Sequence, residues 1–373
     1  MKNHKEHRGY MEIIKQHVLN LVTLQGVSGR EAPVIRYMEK QLKPLVDELK
    51  IDSMGNIFTV KRGKRSVRPR IMIAAHSDEI GLIVKSVEDS GFIRFEKAGG
   101  VQDNLLQSRM VKVGRHIGIV GAKAGHLSTE KERSEVKKFS DLYIDVGASS
   151  REEVESMGIR PGTPVSFVSD PRFFTNQDLI VSKALDDRVG CAVLITLLAS
   201  LTDEEFNGEL HGVITVQEEV GLRGATVSAF AVNPDMALAL DTIPSGDTPD
   251  VSFQKELPVA IGKGPVFQVM SGSGVRGMFA DTTVLSLLEG AAKRGEIPYQ
   301  LTTFTGGNTD ASAMHLARSG VPCGAVTIPR RYSHSPCEMM NLNDAVAAML
   351  VLRELVISIP EKIDWKLPGE TMV

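Results

Sequence analysis

Five apolar runs in this chain each give way, on the C-terminal side, to histidine or carboxylate side chains. Residues 71–75 lead into His76-Ser77-Asp78-Glu79. Residues 179–181 lead through Ser182-Lys183-Ala184-Leu185 into Asp186-Asp187, and 212–214 through Thr215-Val216-Gln217 into Glu218-Glu219. Residues 236–240 lead into Asp241-Thr242, and 323–328 through Pro329-Arg330-Arg331-Tyr332-Ser333 into His334. Short apolar runs of this kind read as buried strands. In open α/β sheets, ligands bind outside the carboxyl ends of the strands. A carboxylate left buried and unpaired there is costly. The pattern therefore predicts an α/β sheet whose strand ends share one site, and two histidines with several carboxylates suit a divalent metal. Glu218 and Glu219 follow extended chain, so they point to opposite faces and do different work: one binds a cation, the other moves a proton.

The bulk numbers narrow the alternatives. The chain has 373 residues, enough for two domains and a sizeable core. A net charge of −3 carries no nucleic-acid or anionic-membrane footprint. No apolar run is long enough to cross a bilayer, and no signal-peptide core follows the polar start of the chain. Cys191, Cys323 and Cys337 show no C-x-x-C spacing. That speaks against a disulfide framework or a thiolate zinc site, and the expected location is a reducing cytoplasm.

Residues 9–25 read as an amphipathic helix, with Ile13, Ile14, Val18, Leu21 and Val22 on one face. Ser28 and Glu31 form an S-x-x-E pattern that predicts a capping box for a second helix to about residue 45. A hairpin is expected around Met54-Gly55-Asn56. From about 85 to 176 helical periodicity stops and short alternating segments take over, which reads as a small β-barrel or sandwich inserted into the α/β domain. The division is then 1–84 and 177–373 for the catalytic domain and 85–176 for the insert. Beyond it, a buried helix is expected from about 187 to 201. Asp281 and Thr282 are expected to cap a helix ending near Arg294-Gly295, Thr309 to cap a helix over 310–318, and a last helix is expected to begin at Asn343 or Asp344 and run to about 359.

The order of His76-Ser77-Asp78-Glu79-Ile80-Gly81, Lys183-Ala184-Leu185-Asp186-Asp187-Arg188-Val189-Gly190, Val216-Gln217-Glu218-Glu219-Val220-Gly221, Gly306-Gly307-Asn308-Thr309-Asp310-Ala311 and Arg330-Arg331-Tyr332-Ser333-His334-Ser335-Pro336 resembles one family over nearly the whole chain. This is the glutamyl and deblocking aminopeptidases, dinuclear zinc metallopeptidases that include the tetrahedral (TET) aminopeptidases. Some members carry an old endoglucanase label. The resemblance implies a three-layer zinc-peptidase-like catalytic domain with a mixed central sheet and an inserted barrel-like domain for dimerisation and assembly. It implies that His76 binds one metal with Asp78 behind the imidazole, that Asp186 bridges both metals, and that Asp241 completes the first set. Glu219 and His334 then hold the second metal, Glu218 is the general base, and Asp186-Asp187 is joined by a cis peptide. It also implies a homo-oligomer built from dimers, up to a dodecamer.

The residue types support this chemistry on their own terms. Two metals sharing one carboxylate lower the pKa of a bridging water and polarise a carbonyl. A carboxylate such as Glu218 takes the water's proton and passes it to the leaving amine. Five protein ligands for two ions leave open positions, as catalytic sites do. Mixed nitrogen and oxygen ligands admit zinc, cobalt or manganese. The expected activity is removal of the N-terminal residue from short peptides. A related metal-dependent deacylase acting on a non-peptide amide is the alternative, and a glycosidase would leave the two histidines unexplained.

Several residues keep two readings at this stage. Asp187 is either a partner behind the site or a helix N-cap, or both. Residues 306–310 either line the substrate pocket or form a plain turn. Arg330 and Arg331 either bind a substrate carboxylate or sit on the surface. Ser77, and the segments 100–103, 107–110 and 271–277, depart from the family's usual pattern. The three segments are expected to shape assembly contacts and specificity.

Overall fold

The computed structural model describes residues 2–64, 68–202, 205–273 and 276–367. Its centre is a twisted mixed sheet. Four parallel strands lie side by side in the order Glu209–Thr215, Arg70–His76, Met236–Pro244, Cys323–Arg331. The hairpin Glu48–Ile51 and Ile57–Arg62 extends one edge antiparallel, and Glu338–Asn341, Leu179–Ser182 and Arg172–Phe173 extend the other. Val266–Ser273 branches from Cys323–Arg331 and carries Arg276–Phe279 and Gln300–Phe304.

Strand alternation sets the layers. Ile71, Ile73, Ala75, Leu238, Leu240, Val326 and Ile328 face a thick helical layer. That layer holds the helices Lys2–Val22, Ala32–Leu42, Leu185–Ser200, Thr282–Arg294 and Leu342–Ser358. Met72, Ala74, Ala237, Ala239, Cys323 and Ala325 face the other way, against Arg223–Val232 and Ala311–Met314. The alanines keep this second face shallow, so two short helices cover it. Each large aliphatic side chain buried in the thick layer contributes about 1.5–3 kcal/mol, which anchors the strand ends firmly. Leu185–Ser200 is apolar nearly all round because it lies inside this layer, with residues 185–198 buried.

The β-rich stretch closes into a barrel of six antiparallel strands. Their order is Gly81–Val87, Ile93–Ala98, Ile144–Asp145, His116–Val120, Met110–Val113, Pro164–Phe167. Leu82, Val84, Ile93, Phe95, Val111, Val113, Val120, Ile144, Val165 and Phe167 point inward and form a core of their own. Closure removes the exposed edges that a sheet this small would otherwise present. The fold is thus the expected three-layer α/β domain with an inserted all-β barrel.

Some local expectations fail. The Ser28–Glu31 capping box does not form: Ser28 Oγ donates to Asp78 Oδ2 at 2.6 Å, and Glu31 Oε1 accepts the N–H groups of Gly29 and Gln217. A tertiary carboxylate outcompetes the local cap. The first helix spans Lys2–Val22, and Ile13, assigned to its apolar face, is 43% exposed. Asp310, not Thr309, occupies the N-cap position of a helix only four residues long, Ala311–Met314. The last helix starts at Leu342 with Asn341 as its cap, one or two residues earlier than expected. In the departing segment 271–277, residues 274 and 275 lie outside the described residues.

Candidate metal centre

The register of the four parallel strands delivers six of the chemical groups to one rim. His76 ends its strand opposite Thr215, and Glu218 and Glu219 follow within four residues. Asp241 pairs with Thr327 on the next strand, whose continuation carries Arg330 and His334. Asp186 arrives from the antiparallel edge, at the start of the buried helix Leu185–Ser200. The Asp186-Asp187 peptide is cis. Five of the nine described non-glycine residues with positive φ surround this rim: Ala184, Gln217, Leu222, Tyr332 and His334. Left-handed backbone costs such residues about 1–2 kcal/mol each, and it clusters at functional sites.

Asp186 is the hub. Its Oδ1 lies 3.1 Å from His76 Nε2 and accepts from Thr242 Oγ1 at 2.9 Å. Its Oδ2 lies 3.4 Å from His334 Nε2 and accepts from Arg330 Nη2 at 2.5 Å. On the first side, Asp241 Oδ1 is 3.7 Å from His76 Nε2. On the second, Glu219 Oε2 is 3.5 Å from His334 Nε2. Ligand atoms of His76, Asp186 and Glu219, and likewise of His76, Asp187 and Asp241, all lie within 4.8 Å of one another.

A supporting shell holds these groups. Asp78 Oδ1 is 3.4 Å from His76 Nδ1, close but not aligned as a hydrogen bond. Asp78 also accepts the N–H groups of Glu218 at 2.9 Å and Glu219 at 3.2 Å, so one carboxylate positions both strand ends. Asp187 takes both of its possible roles: it accepts the N–H of His76 at 3.2 Å and that of Gly190, in the first turn of its helix, at 3.0 Å. Ser77 Oγ donates to the Thr215 carbonyl, away from the centre. The barrel contributes a loop: Gly100 lies so close that a Cβ there would sit 2.5 Å from His334 Nδ1.

Three contributors stand outside the expected ligand set: sequence reasoning does not single out Glu338, and it gives Arg330 and Asp310 two readings. Glu338 is buried and accepts from the backbone N–H of Asp186 and of His334 and from Arg330 Nε. Arg330 is buried between Asp186 and Glu338, which excludes the surface reading, whereas Arg331 pairs with Asp247. Asp310 is buried and accepts from Thr215 Oγ1 at 2.5 Å. The available signal was a charge beside an apolar strand, in Arg330 two residues after Ile328 and Glu338 before Met339-Met340.

The electrostatics are lopsided. Eight carboxylates with buried side chains, from Asp78, Asp186, Asp187, Glu218, Glu219, Asp241, Asp310 and Glu338, face one guanidinium and two imidazoles. Burial, reinforced by neighbouring carboxylates, pushes Glu218 and Asp187 well above the usual carboxylate range, Glu219 to about 8 and Asp310 to about 7. Burial opposes the charge on His76, but Asp186, Asp241 and Asp78 outweigh it and raise its pKa well above the ordinary value. His334 is held at about 9 against burial, by Glu219 and then Asp186. Asp186 alone is driven well below its usual range, burial being overcome by Arg330 and the two histidines. Glu219 Oε1 is buried with no hydrogen-bond partner. An oxygen-rich, imidazole-containing set with an orphaned carboxylate oxygen and excess negative charge fits divalent cations.

The centre opens into a cavity of about 660 Å³, lined beyond the cluster by Gly306, Gly307, Asn308 and Thr309 among others. Residues 306–309 thus belong to the pocket and are not a plain turn. No helix among the described residues is long and apolar enough to cross a membrane.

Comparison with known proteins agrees with this architecture. The family model for M42 glutamyl aminopeptidases matches residues 55–351. The lysyl aminopeptidase of Pyrococcus furiosus is 34% identical over 340 residues, 87% of this chain and 91% of its own. An aminopeptidase of the archaeon Desulfurococcus kamchatkensis superposes with a TM-score of 0.87 at 38% identity, over 95% of this chain and 96% of that one. The TET1 peptidase of Pyrococcus horikoshii, described as assembling into a tetrahedron or a large octahedral shell, gives 0.80 at 30% identity over 93% and 100%. The chain is therefore a member of the M42 glutamyl aminopeptidase family and a peptidase enzyme.

Proposed function

We propose that the chain is a two-metal aminopeptidase that removes the N-terminal residue from short peptides. The observation that carries the reading is the division of Asp186: Oδ1 faces His76 and Oδ2 faces His334, with Asp241 on the first side and Glu219 on the second. His76, Asp241 and Asp186 would hold one ion, and Glu219, His334 and Asp186 the other, with zinc the leading choice and cobalt or manganese admitted by the donor set. Such a pair, when bound, supplies Lewis acidity and a water of lowered pKa.

The protein groups do the rest. Glu218 is buried beside the ligands, where its carboxylate can take a proton from the attacking water and return it to the departing amine. Asp78 orients His76 and both glutamate N–H groups. The carboxylate-rich end of the cavity favours a free α-amine, which makes the enzyme an exopeptidase. We assign segment 85–176 to assembly, in a homo-oligomer of dimers up to a dodecamer, working on peptides in the cytoplasm. The TET1 relative's shells support this extension.

The test is Glu218→Gln, assayed on an aminoacyl-chromophore substrate with metal content measured in parallel. Two ions per chain are expected to remain, while kcat falls about 10²–10⁴-fold. Unchanged hydrolysis with both ions bound removes Glu218 as the base, and fewer than two ions in the native protein removes the two-metal reading. A chain that binds two ions yet ignores every free-amine substrate would favour the deacylase.

A further inference from the structure

Charge is distributed unevenly around the cavity. Among the described residues, every charged side chain lining it belongs to the metal cluster: His76, Asp186, Glu218, Glu219, Asp241, Arg330 and His334. The rest of the described lining is neutral. Gln268 lines it from the strand Val266–Ser273, 2% exposed, with its Oε1 buried and unpartnered. Thr309 lines it 2% exposed, with its Oγ1 likewise unpartnered. Phe304 supplies an apolar face, and its ring lies so near Gly306 that a Cβ there would meet it at 2.6 Å. Leu222 and Pro244 also line it.

We propose that this wall is the specificity pocket for the first residue of the substrate and that it selects neutral side chains, with Gln268 as the determinant. The inference rests on the aminopeptidase reading. With the free amine at the carboxylate cluster and the rest of the peptide leaving through the open mouth, the first side chain turns to the neutral wall. An ammonium, guanidinium or carboxylate placed there would lose water and find no opposite charge, which is the costliest kind of burial. A leucine, methionine or glutamine side chain fills the Phe304 face, and a neutral amide meets the idle hydrogen-bonding atoms of Gln268 and Thr309. The choice thus differs from that named for the Pyrococcus furiosus relative, a lysyl aminopeptidase, and from the glutamyl name of the family.

The experiment is a panel of leucyl, methionyl, glutaminyl, glutamyl, aspartyl, lysyl and arginyl p-nitroanilides with the metal-loaded full-length protein. The neutral substrates are expected to exceed every charged one in kcat/KM by at least tenfold. A lysyl, arginyl, glutamyl or aspartyl substrate that matches or exceeds them overturns the proposal. In a second arm, Gln268→Glu is expected to raise the lysyl-to-leucyl ratio, and Gln268→Lys the glutamyl-to-leucyl ratio, each at least tenfold. Unchanged ratios in folded variants remove Gln268 from the role. Silence across the panel would sink the aminopeptidase reading instead. Binding of free leucine, lysine and glutamate to the native protein, followed by calorimetry, then still ranks the pocket: leucine tightest supports it, and lysine or glutamate tightest, or no difference, overturns it.

Discussion

Two buried charge clusters stand back to back in this molecule, and they are built on opposite plans. In one, Glu79 accepts from Lys183 Nζ at 2.7 Å and from the Gly26 N–H at 2.9 Å, with the Arg188 guanidinium 3.6 Å away. Arg188 also donates to the carbonyls of Leu21 and Ser77. One carboxylate there meets two cations and a set of backbone groups. In the other, eight carboxylates meet one guanidinium and two imidazoles. The two share a strand end. His76 and Asp78 turn to the metal centre, while Glu79, on the alternate face, turns to Lys183. The cation-rich cluster joins the first helix, the strand end and the buried helix. The unbalanced one has charge left over for something the chain does not itself supply.

Three measurements would break or sharpen that contrast. The largest effect is expected from Lys183→Met, which leaves Glu79 short of its nearest cation. Breaking a buried ion pair from one side costs about 3–5 kcal/mol, read by urea unfolding of the metal-free protein. A loss under about 1 kcal/mol would mean that Arg188 alone suffices and that the second cation is not needed. Next, zinc should stabilise the metal-free wild type by about 2.7 kcal/mol for each ion bound when free metal exceeds its Kd a hundredfold. The same increment should appear in Lys183→Met, because the ions enter the other cluster. A zinc effect confined to one of the two proteins would show that the clusters are coupled.

The smallest effect is a pH dependence. Burial holds Glu219 at about 8, and its carboxylate neighbours hold His334 at about 9 against burial, so at pH 7 both carry protons that a cation has to displace. Both pKa values are raised, so the protonated, metal-free form gains as pH falls. Metal affinity should therefore drop on going from pH 9 to pH 6, by about 1.4 kcal/mol per pH unit for each proton displaced. Calorimetry in two buffers of different ionisation enthalpy reads the protons released. An affinity that is flat from pH 6 to pH 8 would count against the excess of carboxylate charge.

Much of this was legible in the linear chain, for a local reason. Strand ends announce themselves by an apolar run that stops at a polar group, so His76, Asp241 and the Glu218-Glu219 pair are readable within a window of ten residues. The barrel is readable because its alternation breaks the helical period. What escaped reading depends on partners far away in sequence. Ser28 and Glu31 carry every local mark of a capping box, yet Asp78, fifty residues on, takes the serine, and Gln217 takes part of the glutamate. Arg330 looks like a surface arginine until Asp186, 144 residues earlier, is placed against it.

By itself the sequence determined the class of fold, the inserted all-β stretch, the family and the residue types that reach the strand ends. Periodicity and side-chain chemistry are properties of neighbours along the chain. Only the tertiary structure decided which carboxylates meet and which cations answer them. The strand order sets Thr215 beside His76 and Asp241 beside Thr327, bringing together segments that no local signal connects. It also decided that one buried glutamate is neutralised by a lysine while its neighbours across the strand remain in excess. Burial removes water as a partner, so each charge is left with whatever the fold has put within a few ångströms.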